Sequence, residues 1–138
     1  MPAADASSEA LVRSFFEILS AGDLDSLKTL LHDEATWTIF AEGLPGAGRH
    51  EGREAIVEDF LRPVREGMFE PGDPKVEIQA LVAAAGSVAV EARGSGRFAN
   101  GRPYRNTYAF FLEVDHGKVR TVREYMDSLL VSTQLDER

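Results

Sequence analysis

Residues 101–127 constrain the fold of this chain most strongly, because they contain two runs rich in aromatic and β-branched residues. A short turn at residues 115–118 (DHGK) separates the two runs. Runs of this kind on either side of a turn predict two paired β-strands. On the second strand Glu124 shares a face with Val122 and Met126, because successive side chains alternate between the faces of a strand. A carboxylate among apolar neighbours is a candidate functional group.

Composition narrows the class of protein. A chain of 138 residues with 43% hydrophobic content is expected to form one domain with one core. The net charge of −8 and the lack of a basic stretch argue against nucleic acid as a partner. No cysteine is present, which excludes disulfides and thiolate catalysis. We find no signal-peptide pattern and no apolar run near the roughly 18 residues of a membrane span, so we expect a soluble, cytoplasmic protein without membrane contact.

The first half of the chain predicts three helices and one strand, from apolar spacing and capping residues. The predicted elements are a loose terminus (1–6), a helix capped by Ser7 or Ser8 and ended by Gly22, a second helix capped by Asp23, a strand (35–40), a glycine-rich loop (41–52), and a third helix that begins near Arg53 and is kinked or ended by Pro63.

The second half predicts four strands, at about residues 76–84, 87–98 and on either side of the turn at 115–118, with an Asn-Gly hairpin at residues 100–101. The segment 128–138 is read as a C-terminal tail that could be helical. Helices early and antiparallel strands late indicate an α+β fold, in which a curved antiparallel sheet wraps around the three helices and forms a cone-shaped apolar pocket. The whole chain, 1–138, is expected to be a single domain.

Four stretches carry a family resemblance. They are Trp37 on the first strand, GRHEGREAI at residues 48–56, NGRPYRNTY at residues 100–108 and DHGKVRTVREYMD at residues 115–127. Their wording and the element order resemble the NTF2-like superfamily, which has a cystatin-like cone fold, and within it the SnoaL-like and ketosteroid-isomerase-like branch. The resemblance covers nearly the whole chain and implies a homodimer. It leaves the activity open, because this fold hosts isomerases, cyclases, dehydratases, hydrolases and non-catalytic binders.

Individual branches of that superfamily can be compared position by position. Ketosteroid isomerases carry a base Asp at the end of the first strand, where this chain has Ile39 and Phe40. Limonene-epoxide-hydrolase-like members carry an Arg and an Asp two residues apart, which correspond here to Arg93 and Ser95. Their second Asp corresponds to Glu124, and the REYM wording around Glu124 is also close to that of phenazine-biosynthesis-like members. Glu124 is therefore the position at which the resemblance to several branches implies a carboxylic acid.

Glu124 and Arg93 are the candidate catalytic residues. If Glu124 faces an apolar pocket, burial raises its pKa and suits it to exchange a proton near neutral pH, while Arg93 would stabilise negative charge on a substrate oxygen. The alternative is an ion pair between the two with a structural role only. The candidate substrate-binding residues are Trp37, Tyr108, Asn106, Phe16, Phe40, His50, Val122 and Met126.

Several of these binding residues have an ordinary structural interpretation as well. Trp37 and Tyr108 could simply pack in the core, and His50 could be a proton shuttle near the pocket mouth or an exposed loop residue. The three histidines lack the spacing of a metal site, and no phosphate-binding glycine motif opens a helix. We therefore expect neither a metal nor a cofactor.

The leading hypothesis is a cofactor-independent acid/base enzyme, an isomerase, cyclase or dehydratase, that acts on a small apolar ring-containing molecule. The alternatives are a non-catalytic binding or dimerisation module and, third, an epoxide-hydrolase-like hydrolase. On the face opposite the pocket, strand alternation places an apolar and charged set that could form the dimer interface: Thr107, Ala109, Phe111, Arg123 and Tyr125.

Overall fold

The computed structural model describes the backbone of residues 2–137 and the side chains of residues 6–136. The elements are α1 (Pro2–Ala21), α2 (Leu24–Leu30), β1 (Leu31–Ile39), β2 (Gly48–Glu51), a π-helical segment (Ala55–Leu61), α3 (Arg62–Met68), β3 (Lys75–Ala84), β4 (Ser87–Arg97), β5 (Pro103–Asp115), β6 (Lys118–Met126) and α4 (Ser128–Glu137). The helices and the curved, mostly antiparallel sheet confirm the α+β fold. No helix within these residues is long and apolar enough to span a membrane.

Within the described chain, six strands form one sheet in the order β2-β1-β6-β5-β4-β3. The predicted hairpin between β5 and β6 is confirmed, and its turn has positive φ at His116 and Gly117. A parallel pairing of β1 with β6 was not anticipated, and it sets Trp37 beside Val122 and Ile39 beside Glu124. Residues that are far apart in sequence thus meet at the centre of the sheet.

Aromatic rings link the helices to the sheet. Phe15 of α1 lies 5.8 Å from the ring of Trp37, and Phe16 lies 4.8 Å from Phe110 of β5. Phe60 of the π-helical segment packs edge-on against Trp37 at 5.7 Å. These five residues are buried in the main apolar core. A second apolar cluster, built from Phe69, Phe98, Tyr104 and Val131, lies beside it.

The predicted loose terminus is wrong for residues 2–6, because α1 begins at Pro2. Proline is favoured in the first turn of a helix, and the alanines that follow it are the strongest helix formers. Ser8 lies within the helix and is buried, so it is not the cap. The predicted cap of α2 is confirmed, since the Asp23 carboxylate accepts a hydrogen bond from the Ser26 backbone N–H at 3.1 Å.

Two further expectations about the middle of the chain are wrong. The glycine-rich loop contains a short strand, β2, paired with β1. Of the two alternatives for Pro63, a kink or an end of the third helix, the end is wrong, because the helix continues to Met68. The preceding π-helical turn, in which the Arg62 N–H bonds to the Val57 carbonyl, carries the chain into Pro63 with the wider spacing that such turns introduce.

Candidate functional site

Glu124 lies at the edge of a small apolar cavity between the two clusters of buried residues. Its side chain is 7% exposed and projects from the inner face of β6, as strand alternation predicts. The cavity has a volume of about 90 Å³. Its described lining consists of Ile39, Leu44, Pro45, Phe60, Val64, Met68, Phe69, Phe98, Tyr104, Glu124, Met126, Val131 and Leu135. Among these residues Glu124 is the one acidic or basic side chain.

The two oxygens of Glu124 have different surroundings. Trp37 Nε1–H donates a hydrogen bond to Oε1 at 2.9 Å, whereas the described residues offer Oε2 no partner. No described side-chain oxygen is both inaccessible and unpaired, so Oε2 opens onto the cavity. Burial raises the pKa of Glu124 to about 7, against the opposing effect of the Trp37 hydrogen bond. The carboxyl can therefore hold or release a proton near neutral pH, at an oxygen that a ligand can reach.

Two tyrosines and an amide form a hydrogen-bonded group on β5. Tyr104 Oη lies 2.6 Å from Tyr108 Oη and accepts a hydrogen bond from Asn106 Nδ2 at 2.9 Å. Burial raises the pKa of Tyr104 to about 12 and that of Tyr108 well above its usual range, so both hydroxyls stay protonated. Tyr104 lines the cavity, while Tyr108 and Asn106 lie behind it. Of the polar groups on this face, Tyr104 is the one that a ligand would meet.

Of the remaining predicted binding residues, Met126 lines the cavity, whereas His50, Val122 and Phe16 do not. The His50 ring stacks on Phe60 at 4.3 Å, and its Nε2 lies 2.8 Å from the Gly46 carbonyl oxygen. His50 belongs to β2 and is one layer away from the cavity. Val122 is fully buried in the main core, and Phe16 lines a separate groove between α1 and β3.

Arg93 and Phe40 do not lie where the sequence analysis expected them. Arg93 is exposed on the outer face of β4, because its neighbours Ala92 and Gly94 point to the buried face and side chains alternate along the strand. The alternative interpretation, an ion pair between Arg93 and Glu124, is therefore wrong. Phe40 follows the last residue of β1 and is 50% exposed. It stacks on Tyr125 at 4.7 Å, on the side away from the cavity.

Several lining residues had no recognised role in the sequence analysis. Tyr104 shares its strand face with Asn106 and Tyr108, so strand alternation is the signal that could have placed it with them. Helix α4 contributes Val131 and Leu135 and closes one side of the cavity. The Gln134 side chain bonds both the N–H and the carbonyl of Arg105, each at 2.8 Å. The short amphipathic pattern of α4 carries no signal for this docking.

No group of three or more His, Asp or Glu side chains in the described part of the chain is placed to hold a metal ion. The donors around the cavity are one carboxyl and one phenol, set among carbon atoms and the thioethers of Met68 and Met126. Such a lining suits an uncharged, mostly apolar ligand that offers one or two oxygen atoms.

Residues 12–122 match the sequence profile of the SnoaL-like domain. The chain belongs to this SnoaL-like family. No curated protein matches the chain. The SnoaL-like fold is also found in many solved structures. An NTF2-like protein from Burkholderia xenovorans LB400 aligns with a TM-score of 0.75 and 26% identity, over 94% of this chain and 95% of that one.

Two other solved structures share the fold at lower identity. An LEH-like epoxide hydrolase from M. tuberculosis aligns with a TM-score of 0.78 and 19% identity, over 96% of this chain and 92% of that one. A protein with a ketosteroid isomerase-like fold from Catenulispora acidiphila, in complex with trimethylamine, aligns with a TM-score of 0.69 and 22% identity, over 83% of each chain. The SnoaL-like chain thus has isomerase-like and epoxide-hydrolase-like structural neighbours.

Proposed function

We propose that this SnoaL-like protein is a cofactor-independent acid/base enzyme in which Glu124 transfers the proton. The observation that carries the proposal is the free Oε2 of a buried carboxyl, facing an apolar cavity, in a residue whose pKa burial raises to about 7. A carboxyl with a pKa near the working pH gives and takes protons with comparable ease. A group of this kind among apolar side chains is typical of catalytic sites rather than of plain core.

The proposed substrate is a small, mostly apolar molecule with a ring and a carbonyl or hydroxyl oxygen. Tyr104 would bind that oxygen. If Tyr108 donates its hydrogen to Tyr104 Oη, that oxygen already accepts two hydrogen bonds, including the one from Asn106. The hydrogen of Tyr104 is then left to donate into the cavity. A hydroxyl polarised in this way is a good donor to an oxygen that gains negative charge.

The size of the cavity limits the substrate. An engineered protein cavity of about 150 Å³ holds benzene, and the cavity beside Glu124 has about 90 Å³. A ring can therefore bind only if flexible lining residues move, and Met126 and Leu135 are the ones best suited to do so. Within this frame Glu124 would remove a proton from a carbon next to the carbonyl and return it at another position, which gives isomerisation. The same proton removal would start a cyclisation if the carbanion attacks a second carbonyl carbon of the substrate, whose oxygen then takes the proton. It would start a dehydration if the substrate carries a hydroxyl group that leaves with the proton as water.

Proton exchange tests the proposal without a known substrate. The protein is incubated in D2O with a panel of small cyclic ketones and enones, and deuterium incorporation at carbon is followed by NMR. We expect exchange above the buffer rate for at least one compound, and its loss in Glu124→Gln. Glu91→Gln is the matched control, because Glu91 is exposed on β4. Exchange that is equally fast in Glu124→Gln would refute the role of Glu124.

The second candidate is a non-catalytic small-molecule-binding module. It is favoured by the position of Arg93, because no cation among the described residues lines the cavity to stabilise developing negative charge. Binding of panel compounds with no catalysed exchange would support this candidate. An epoxide-hydrolase-like reaction has less support, since Ser95, at the position of the expected Asp, lies on the same outer face as Arg93.

The protein is also proposed to form a homodimer through the outer face of the sheet. Phe111 and Tyr125 are 44% and 39% exposed there, and the Arg123 guanidinium lies 5.8 Å from the Phe111 ring centre. Together with Phe40, these residues form an exposed aromatic patch that is unusual on a monomer. Light scattering is expected to give the mass of two chains, and Phe111→Glu is expected to give one. A one-chain mass for the unmodified protein would contradict the proposal.

A further inference from the structure

Arg65 on α3 is a buried arginine with almost no partner. It is 8% exposed, yet its single hydrogen bond within the described structure is a long one, from Nη2 to the Gly72 carbonyl at 3.4 Å. No salt bridge joins it to a described carboxylate. Buried arginines are normally paired, because removing a charge from water costs several kcal/mol unless a partner compensates. Burial correspondingly lowers the pKa of Arg65, although Asp73 and Tyr108 act in the opposite direction.

Arg65 forms part of the lining of a second cavity. No described side-chain nitrogen is both inaccessible and unpaired, so the remaining N–H groups must face accessible space. A cavity of about 320 Å³ lies there, between the α1–α2 turn, α3 and the segment that precedes β3. Its volume is within the range of small-molecule sites, which begins at about 300 Å³. It is distinct from the Glu124 cavity, with Phe69 as the shared wall.

The charges around this cavity select a monoanion. Its two lining carboxylates are engaged elsewhere, since Asp73 accepts a hydrogen bond from the Arg97 N–H at 3.0 Å and Glu66 lies 3.7 Å from Arg62. They still repel a doubly charged phosphate, and Arg65 is the one cation in the described lining. The planar guanidinium offers two parallel N–H groups to a carboxylate. Leu24, Phe69 and Pro71 supply apolar surface for the rest of the ligand.

We propose that Arg65 and its cavity bind a small organic carboxylate with an apolar body. The carboxylate accepts a pair of hydrogen bonds from Arg65, and the apolar part rests against Leu24 and Phe69. The site does not depend on the chemistry of Glu124, so binding at Arg65 can be tested independently of the proposed enzyme activity.

Sodium benzoate is the probe. The ¹⁵N–¹H signal of the Arg65 side chain, identified by its loss in Arg65→Gln, is followed while benzoate is added to the full chain at constant ionic strength. We expect a saturable shift of this signal and of the Gly72 amide, with the same dissociation constant and with no such shift for sodium chloride. Absence of a saturable shift in every arginine side-chain signal of the unmodified protein would overturn the proposal, and this result needs no folded variant.

Variants and a second anion sharpen the test. Arg65→Gln is expected to weaken benzoate binding about tenfold or more, because a charge-assisted pair of hydrogen bonds is lost. Arg13→Gln is the matched control, since Arg13 is exposed on α1, bonds to Glu9 and does not line this cavity, and it should bind benzoate as the unmodified protein does. Equal weakening in both variants would show non-specific attraction. Phosphate binding as tight as benzoate binding would overturn the assignment to a carboxylate.

Discussion

Replacing Glu124 with glutamine is expected to stabilise the protein above neutral pH and to change its stability little in acid. Below a pH of about 4 the carboxyl is protonated in both the folded and the unfolded chain, so its ionisation costs nothing. As pH rises, the unfolded chain releases this proton first, because burial raises the folded-state pKa. Above the folded-state pKa the native protein must hold a buried carboxylate, and the unfolding free energy is lowered by the full cost of burying that charge.

The magnitude follows from the two pKa values. An ordinary pKa of 4.5 in the unfolded chain and a pKa of about 7 in the folded protein correspond to about 3 kcal/mol, at about 1.4 kcal/mol per unit. Wild-type stability contributed by this group is therefore lost between those two pH values. Glutamine keeps an oxygen acceptor for Trp37 but cannot ionise. The difference in unfolding free energy, variant minus wild type, should rise by about 3 kcal/mol from acid to alkaline pH.

Urea unfolding at several pH values measures this difference. The single tryptophan of the chain, Trp37, is buried in the core and provides the fluorescence signal, with circular dichroism as an independent probe. The protein concentration is held constant, because self-association would add to the apparent stability. Glu91→Gln, on the exposed face of β4, serves as control and should show a difference that does not change with pH. A flat difference for Glu124→Gln would refute the argument that burial raises the pKa of this carboxyl.

Two other predictions concern the surroundings of the site. Trp37→Phe removes the donor to Glu124 Oε1, so the pKa of Glu124 should rise further, by about one unit or more, as measured by NMR titration. An unchanged pKa would mean that this hydrogen bond has no influence. Gly94→Ala would set a methyl carbon 2.7 Å from a ring carbon of Tyr108 and should cost about 1–3 kcal/mol in urea unfolding. Gly67 lies in α3, and a methyl carbon added there would meet no atom within 4 Å. Gly67→Ala should therefore leave the free energy of unfolding unchanged or raise it by up to about 1 kcal/mol. Equal losses of stability in the two variants would contradict the packing argument.

The sequence predicts the inward position of Glu124 correctly, because Glu124 is two residues from Val122 and two from Met126 and so shares their face of β6. The same rule groups Glu91, Arg93 and Ser95 on one face of β4, but it does not reveal which face is buried. The opposite face carries small residues such as Gly94, which look unlike core. Gly94 is buried because the Tyr108 ring of the neighbouring strand covers it, and a contact between strands has no signature in either strand alone.

Other parts of the site depend on pairing across long sequence distances. The parallel contact between β1 and β6 brings Trp37 to Glu124, 87 residues away. Local periodicity predicts both strands but not that they are neighbours. The docking of α4 over the cavity depends on Gln134 and its backbone partners at Arg105, a contact formed only once β5 is in place.

Direct titration of the Glu124 side chain tests the central claim, that a buried carboxyl at the cavity exchanges a proton near neutral pH. The protein is labelled with ¹³C at the glutamate side-chain carboxyl, and the Glu124 signal is assigned by its loss in Glu124→Gln. We expect the Glu124 signal to titrate with a pKa of about 7. A Glu124 signal that titrates near 4.5, the ordinary value for a glutamate, would contradict it.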